Sequence, residues 1–335
     1  MKHLFIINSH TTYLTAMGTI EFLHLKTNEV MLVMVRNYRN IFIDTKFKQT
    51  DMSWAYSINR RKDFFALGKS IKKLDKQLQD LVEGDRFEMY GSSAGGTFVY
   101  QVIFSHPQCV GMNYLQEGAY VDKGLFEDYT LSFPKKIFDY ILKIFYKHRV
   151  WASARTWRMP YFLENERRVP VTFATTKEFF SVTKYENYVV NWPSFDIPEK
   201  YKIDPNCPCF VFEASVEWKT IERGVYLKYS DQLIKEKAES YNYVKFHPYQ
   251  SKENKNEILY YFKKNHVKVV VLPMDFPFEI YLSSYKGMKV YGFNSSLLVF
   301  AEQMGHTTYS LEEQLLKNSP KYRDVCIQLG RSVNA

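Results

Sequence analysis

Residues 242–272, NYVKFHPYQSKENKNEILYYFKKNHVKVVVL, decide the fold class of this chain. Two short apolar runs in it, 242–246 and 267–272, have the length and composition of buried strands. Between them, residues 254–264 have the length and pattern of a helix. A strand, a helix and a second strand within about thirty residues are typical of a parallel βαβ unit. This stretch therefore predicts an α/β fold.

The same alternation extends in both directions along the chain. Residues 192–208 are rich in proline and irregular, as expected of a linker between two domains. We therefore predict an N-terminal domain at 1–195, a C-terminal domain at 205–310 and a helical tail at 311–335, for which packing on the N-terminal domain is one arrangement. The remaining predicted strands are 3–8, 30–35, 40–43, 87–90, 110–115, 209–214 and 288–292, and the remaining predicted helices are 66–83, 228–238, 277–285 and 296–304.

The composition favours a cytoplasmic protein that binds an anionic ligand. The 335 residues include 45 basic and 36 acidic side chains, which give a net charge of +9. No apolar run approaches the roughly 20 residues that cross a bilayer, and the start of the chain lacks a signal-peptide pattern. The four cysteines are too few and too irregular for a disulfide framework or a zinc site. No motif supports nucleic-acid binding, so we expect no nucleic-acid partner.

One motif with the chemistry of a general base follows a predicted strand. Glu117, in the segment YLQEGAY at 114–120, precedes Gly118, which permits a tight turn and the close approach of a substrate. Ligands of open α/β sheets gather beyond the carboxyl ends of strands. A carboxylate held there can take a proton from a sugar hydroxyl. The ordinary alternative is a solvated glutamate in a turn.

Two further motifs suit a phosphate. His247 follows a predicted strand and is restricted to extended or turn geometry by Pro248, so its imidazole can meet a leaving phosphate. Asn294, Ser295 and Ser296 lie where a strand becomes a helix, and the free N–H groups of a helix start attract anions. Simple capping of the helix is the ordinary alternative for the serines. Together the motifs predict a transferase that acts on a phosphate-activated donor.

A serine hydrolase is the second hypothesis. Residues 91–95, GSSAG, fit the G-x-S-x-G elbow between a strand and a helix, with Ser93 as the nucleophile. The mechanism also needs an acid and a histidine downstream, for which Asp204 and either His247 or His266 are available. No glycine-rich oxyanion segment precedes Ser93, and the elbow explains neither phosphate motif. The transferase is therefore the preferred hypothesis.

A basic amphipathic helix with aromatic side chains is predicted within residues 134–158. Such a helix can lie on an anionic membrane surface. A core helix with a solvated lysine face is the ordinary alternative. Peripheral contact with the cytoplasmic face of an inner membrane is thus one prediction for this segment.

The three motifs together resemble those of bacterial sialyltransferases of the GT-B type, which include lipooligosaccharide sialyltransferases and capsule polysialyltransferases. That family carries an acidic-acidic-Gly motif, a His-Pro motif and a Ser-Ser/Thr motif in this order. The matching pairs here are Glu117-Gly118, His247-Pro248 and Ser295-Ser296. The chain departs from the pattern at Gln116, where a second acid is usual.

The resemblance implies two Rossmann-like domains facing a central cleft. It also implies inverting transfer of sialic acid, or a related nonulosonic acid such as Kdo, from a CMP donor to a glycan acceptor of a surface polysaccharide or lipooligosaccharide, with no metal or other cofactor. Glu117 would be the base, and His247 would stabilise the departing phosphate. The other donor-side candidates are Pro248, Asn294, Ser295, Ser296, Glu213 and Glu279. The acceptor-side candidates are Ser9, His10, Thr11, Ser92, Ser93 and Gly118.

Overall fold

The chain folds into two compact units, Met1–Pro193 and Ser194–Ala335. The computed structural model describes residues 1–39, 46–92, 97–119, 132–152, 170–181, 183 and 185–328. The boundary between the units falls inside the proline-rich stretch 192–208, whose one regular element is a turn of 3-10 helix at Glu199–Tyr201. Among the described residues, no helix combines the length and the apolar character needed to cross a bilayer.

The first unit is a parallel sheet with helices. Its strands are β1 (Lys2–Ile7), β2 (Val30–Met34), β3 (Lys48–Asp51), β4 (Phe87–Gly91), β5 (Cys109–Leu115), β6 (Thr172–Ala174) and β7 (Asn187–Val189). Its helices are α1 (His10–Phe22), α2 (Ser53–Tyr56), α3 (Leu67–Val82), α4 (Phe98–Phe104) and α5 (Phe133–Phe145). In the described residues the strand order is β3-β2-β1-β4-β5-β6-β7. The first five strands follow the 3-2-1-4-5 order of the Rossmann fold, which reverses between β1 and β4.

The second unit repeats this winding. Its strands are β8 (Cys209–Phe212), β9 (Tyr241–Phe246), β10 (Lys268–Val271), β11 (Lys289–Gly292) and β12 (Thr307–Ser310). Its helices are α6 (Arg223–Lys237), α7 (Lys252–Lys264), α8 (Phe278–Ser284), α9 (Ser296–Gln303), α10 (Glu312–Asn318) and α11 (Pro320–Gln328). The parallel strands are ordered β10-β9-β8-β11-β12, so the reversal lies between β8 and β11. A Cβ at Gly292 would lie 2.7 Å from the Val211 carbonyl oxygen, so glycine lets these two strands approach closely.

Each unit has its own hydrophobic core. The predicted amphipathic helix is confirmed as α3, which buries Leu74 and Leu78 against the first sheet. In the second unit, Phe210 and Phe246 pack with Tyr322 and Cys326 of α11. The predicted packing of the tail 311–335 on the N-terminal domain stays a prediction.

The predicted α/β class is confirmed, but among the described residues the helices α1 and α2 and four short strands were not predicted. The helix α1 has no apolar stripe because Thr11, Thr12, Thr15 and Thr19 are buried together with its apolar residues. Buried hydroxyls find partners inside the unit: Thr19 donates to the Thr15 carbonyl at 2.7 Å, and the Thr15 hydroxyl accepts from Trp192 at 3.2 Å. The unpredicted strands are β3, β6, β7 and β12. The predicted strand 40–43 lies outside the described residues.

Candidate functional site

One buried amide joins the ends of three strands in the first unit. Asn8 follows β1, and its side-chain nitrogen donates to Glu117 Oε1 at 2.8 Å and to Ser92 Oγ at 3.2 Å. Its side-chain oxygen accepts from Thr12 Oγ1 at 2.6 Å. Ser92 follows β4, and Glu117 lies just beyond β5. Asn8 therefore holds one oxygen of the Glu117 carboxylate at the reversal of the sheet. Sequence reasoning missed Asn8, although a polar residue directly after an apolar strand was a usable signal.

The turn that carries Glu117 is held by its neighbour. Gln116 is fully buried, and its side-chain nitrogen donates to the Gly118 carbonyl at 2.9 Å. Its side-chain oxygen accepts from the backbone N–H and the hydroxyl of Thr175, at 2.7 and 3.0 Å. A carboxylate at this position would lack the N–H that the Gly118 carbonyl requires. Gln116 thus has a structural role that fits its amide, while Glu117 stays exposed to solvent.

Two phenols stand close to this carboxylate. The Tyr100 hydroxyl lies 3.5 Å from Ser92 Oγ, and burial raises the pKa of Tyr100 far above its ordinary value. Burial also raises the pKa of Tyr56. The positive charge of Arg36 lowers this pKa, and the negative charge of Glu117 raises it. Both phenols therefore stay protonated. Arg36, which follows β2, places a cation within electrostatic range of both.

The other acceptor-side candidates near α1 have local partners. Ser9 caps the helix, since its Oγ accepts from the Thr12 N–H at 3.2 Å. His10 Nδ1 lies 3.1 Å from the Tyr38 hydroxyl, and the two rings meet edge to face. Thr11 is buried. Contact between these residues and an acceptor stays a prediction.

The serine-hydrolase hypothesis finds no support. Ser93 lies outside the described residues, and the candidate histidines His247 and His266 belong to the second unit, whereas the elbow belongs to the first. The candidate acid Asp204 is engaged in a turn, where it accepts from the backbone N–H and the side chain of Asn206 at 3.0 Å each.

In the second unit, His247 is fixed at the end of β9 as a neutral imidazole. The Tyr249 backbone N–H donates to its Nδ1 at 3.1 Å, so the proton of the neutral ring sits on Nε2. Trp218 meets the ring edge to face at 4.7 Å, and the Tyr249 ring stacks beside it. Burial lowers the pKa of His247; the charge of Glu217 raises it, and that of Lys255 lowers it. The result is a hydrogen-bond donor at Nε2. Its neighbour Pro248 is exposed.

Two carboxyl groups beside the ends of β8 and β9 each have one oxygen without a hydrogen-bond partner among the described residues. Glu213 Oε1 accepts from Ser215 at 3.3 Å, whereas its Oε2 is the buried, unpartnered atom. Burial raises the pKa of Glu213 to about 7. Glu217 Oε1 accepts from the Ser251 N–H at 2.7 Å and from Asn254 at 2.8 Å, and its Oε2 is the second such atom. Although burial raises the pKa of Glu217, these hydrogen bonds hold it below its ordinary value.

The Ser-Ser motif lies at the start of α9, directly beyond β11. Ser295 caps the helix by accepting from the Leu297 N–H at 3.3 Å, and Ser296 is exposed. Asn294 donates to the Tyr322 hydroxyl at 2.6 Å, which in turn donates to Glu312 at 2.8 Å. The side chain of Asn294 is therefore held by α10 and α11.

Glu279 belongs to a different part of the second unit. It lies in the first turn of α8, and its charge acts on Lys245. Lys245 donates to the carbonyls of Pro273 and Phe276 at 2.5 and 2.7 Å. Burial lowers the pKa of Lys245 to about 8, against the charges of Glu279 and Asp275, which raise it. The two hydrogen bonds from Lys245 to these carbonyls fix the segment before α8.

The structure thus groups the predicted residues by unit. In the first unit, Glu117 and Ser92 meet at Asn8. In the second, Glu213, His247 and Ser295 follow the neighbouring strands β8, β9 and β11.

Comparisons with known proteins identify the fold. No protein-family model and no curated protein matches the chain. The GT-B domain of a sialyltransferase from Photobacterium damselae is 12% identical, with a TM-score of 0.50 over 98% of this chain and 97% of that chain. A 2,6-sialyltransferase from a Photobacterium species, solved with CMP and lactose, is 15% identical, with a TM-score of 0.48 over 98% of this chain and 76% of that chain. A UDP-GlcNAc 2-epimerase from Neisseria meningitidis, bound to UDP-GlcNAc, is 12% identical, with a TM-score of 0.49 over 93% of this chain and 82% of that chain. The first likeness confirms that the two Rossmann-like units have the GT-B fold.

Proposed function

We propose that this protein is an inverting glycosyltransferase that moves sialic acid, or a related nonulosonic acid, from a CMP donor to a glycan acceptor. One observation carries the proposal: the residues of all three motifs follow strands at or next to the reversals of two sheets with Rossmann strand order. This is where the ligands of such sheets bind. The GT-B fold is consistent with this chemistry.

In the acceptor half of the reaction, Glu117 takes a proton from the attacking hydroxyl. The Asn8 amide holds Oε1 at 2.8 Å, which leaves Oε2 for the acceptor. As the O–H bond breaks, the oxygen uses its electron pair to bond to the anomeric carbon of the donor. The bond from that carbon to the phosphate oxygen breaks on the opposite face, and its electrons leave with CMP. A single displacement of this kind inverts the anomeric configuration.

In the donor half of the reaction, hydrogen-bond donors that are already fixed in the protein bind the phosphate of the leaving group. His247 donates from Nε2, because its Nδ1 is occupied by the Tyr249 N–H. The backbone N–H of Ser296, the first residue of α9, adds a further donor, and the start of the helix adds a partial positive charge. Preorganised donors of this type stabilise charge that develops on a leaving group. The proposal includes no metal ion and no other cofactor.

Calorimetric titration tests the donor site. The purified protein should bind CMP in preference to UMP and AMP, and His247→Ala should weaken CMP binding about tenfold or more, since a hydrogen bond to a charged group is lost. Glu117→Gln should bind CMP normally and lose transfer of the sugar from CMP-sialic acid. A folded wild-type protein that binds no CMP, or binds all three nucleotides equally, would contradict the proposal.

We also propose that α5 rests on an anionic membrane surface. Phe133, Ile137, Tyr140 and Ile144 recur at helical spacing and are all exposed, Tyr140 at 67%, while Leu142 on the opposite side is buried. An outward apolar stripe of this kind marks a contact surface. Lys136, which is exposed in the first turn of the same helix and lies next to this stripe, complements acidic lipid headgroups. Of the predicted segment 134–158, residues 153–158 lie outside the described residues.

A further inference from the structure

A cavity of about 290 Å³ in the first unit is lined by Arg60. The cavity lies beside the turn that follows α2, and its walls include Tyr56, Phe98 and Phe138. The Nη1 atom of Arg60 is buried and has no hydrogen-bond partner in the part of the chain that the structure describes. Among the described residues, no carboxylate forms an ion pair with Arg60, and burial lowers the pKa of Arg60.

The nearest carboxylate in the sequence is engaged elsewhere. Asp63 accepts from the Asn59 N–H at 2.7 Å, and the Asn59 side chain accepts from the N–H groups of Arg61 and Lys62 at 3.0 and 3.3 Å. These bonds fix the turn 59–63 without using the Arg60 guanidinium. Arg60 is half-buried, and removing one of its guanidinium nitrogens from water without a partner is costly. An anionic ligand in the cavity would supply the missing partner.

A second polar group in the same wall lacks a partner. The hydroxyl of Thr97, at the start of α4, is buried and makes no hydrogen bond within the described residues. The guanidinium is a planar fork that matches two oxygens of a carboxylate or a phosphate, and a hydroxyl can donate to a third oxygen or to a sugar. Pockets for drug-sized ligands are roughly 300–1,000 Å³, so this smaller cavity suits about one sugar residue.

The cavity lies on the side of the unit that carries the proposed base. Tyr56 forms part of its wall and is within electrostatic range of Glu117. Phe98 lies on α4, the helix that also carries Tyr100, whose hydroxyl approaches Ser92. A ligand in the cavity would therefore belong to the acceptor half of the reaction.

We propose that this cavity binds an anionic group, a carboxylate or a phosphate ester, on the acceptor glycan, and that Arg60 is its principal contact. The inference rests on the proposed function, because it assigns the ligand to the acceptor. It narrows the acceptor to a glycan that is itself negatively charged close to the sugar that receives the transferred residue.

Binding of matched monosaccharides to the full chain tests the inference. Galactose, galacturonate and galactose 6-phosphate share one ring and differ in charge, so their dissociation constants, measured by saturation-transfer NMR without a donor, isolate the anionic group. We expect one or both anionic sugars to bind at least about tenfold more tightly than galactose, and Arg60→Gln to remove this preference. Whichever anion binds more tightly identifies the source of the charge as a carboxylate or a phosphate.

Two variants control for net charge and for folding. Lys62→Gln removes one positive charge from the same turn but lies outside the cavity wall, so the preference should survive. Arg60→Gln should not lower the thermal unfolding midpoint, because no ion pair is lost. Equal binding of the three sugars by the wild-type protein would overturn the inference, as would an unchanged preference in Arg60→Gln or an equal loss in Lys62→Gln. Since no donor is present, a failure of sugar transfer does not affect this outcome.

Discussion

The hydrogen bond from Asn8 to Glu117 should control the rate of sugar transfer. Asn8→Ala removes the 2.8 Å bond to the carboxylate and the 3.2 Å bond to Ser92. A hydrogen bond to a charged group contributes roughly 1.5–3 kcal/mol. If half or more of this acts only in the transition state, kcat falls by about fourfold to 160-fold, at 1.36 kcal/mol per factor of ten. In the proposed reaction the bond orients the base and does not bind the donor, so the affinity for CMP should stay the same.

The isosteric variant Asn8→Asp separates orientation of the base from stability of the fold. Aspartate keeps the acceptor for Thr12, whose hydroxyl lies 2.6 Å from the Asn8 side chain, but it cannot donate to Glu117. It also places a second carboxylate beside the first, and like charges at this distance cannot both stay ionised. We therefore expect Asn8→Asp to be slower than Asn8→Ala. A purely structural role would give the opposite order, since aspartate preserves the size and the Thr12 bond.

The assay follows CMP release from CMP-sialic acid in the presence of a glycan acceptor, with kcat and KM measured separately. Thr12→Val is the matched control, because it removes a neighbour of Asn8 and leaves the donation to Glu117 intact. Its kcat should fall by less than about threefold. The reasoning is refuted if Asn8→Asp transfers sugar as fast as the wild-type protein, or faster than Asn8→Ala.

Three other features give predictions. Glu213 has a pKa of about 7 in the folded protein, above its ordinary 4.5, so the free energy of unfolding should fall by roughly 3 kcal/mol as the pH rises from 4.5 through 7. Urea unfolding of Glu213→Gln at pH 5 and pH 8 should lack this fall, and a fall equal to that of the wild-type protein would contradict the prediction. The proposed function has His247 donate to the phosphate as a neutral imidazole, so CMP affinity should change less than about twofold between pH 7 and 9, whereas a steep loss by calorimetry would show that the imidazolium is required. Changing Ile137, Tyr140 and Ile144 together to serine should reduce co-sedimentation with phosphatidylglycerol vesicles by about tenfold or more. Because the three side chains are exposed, the thermal unfolding midpoint should stay the same. Unchanged binding to the vesicles would contradict the membrane contact.

The sequence predicts those parts of the site that follow directly from a strand. The positions of Glu117, His247 and Ser295 beyond strands follow from the sequence because the end of an apolar run is visible there, whereas their roles stay a prediction. Partners brought together by the winding of the sheet are not visible, and Asn8 and Glu117 are 109 positions apart. The roles of Gln116 and Arg60 depend in the same way on distant or spatial neighbours.

The helix α1 escaped prediction for a different physical reason. Its hydrophobic face cannot be recognised, because threonines are buried where apolar residues would mark a core. The hydroxyls of Thr12, Thr15 and Thr19 form hydrogen bonds with the helix backbone or with neighbouring side chains, so burial does not leave them unsatisfied. A helix that is buried on most sides shows no amphipathic period in its sequence.

Among the described residues, carboxyl oxygens without a partner occur in the second unit and a guanidinium nitrogen without a partner occurs in the first, and under the proposed function this difference suits the two substrates. The unpartnered oxygens of Glu213 and Glu217 can accept from ribose hydroxyls or from the exocyclic amine of cytosine, whereas the ionised Glu217 would repel a phosphate. The phosphate of the proposed donor would then be bound by neutral donors, for which His247 and the start of α9 are the candidates. In the first unit, Arg60 would supply a cation for the proposed anionic acceptor. A transferase that joins two negatively charged sugars gains from this cation, because it offsets the repulsion between the acceptor anion and the carboxylate of Glu117.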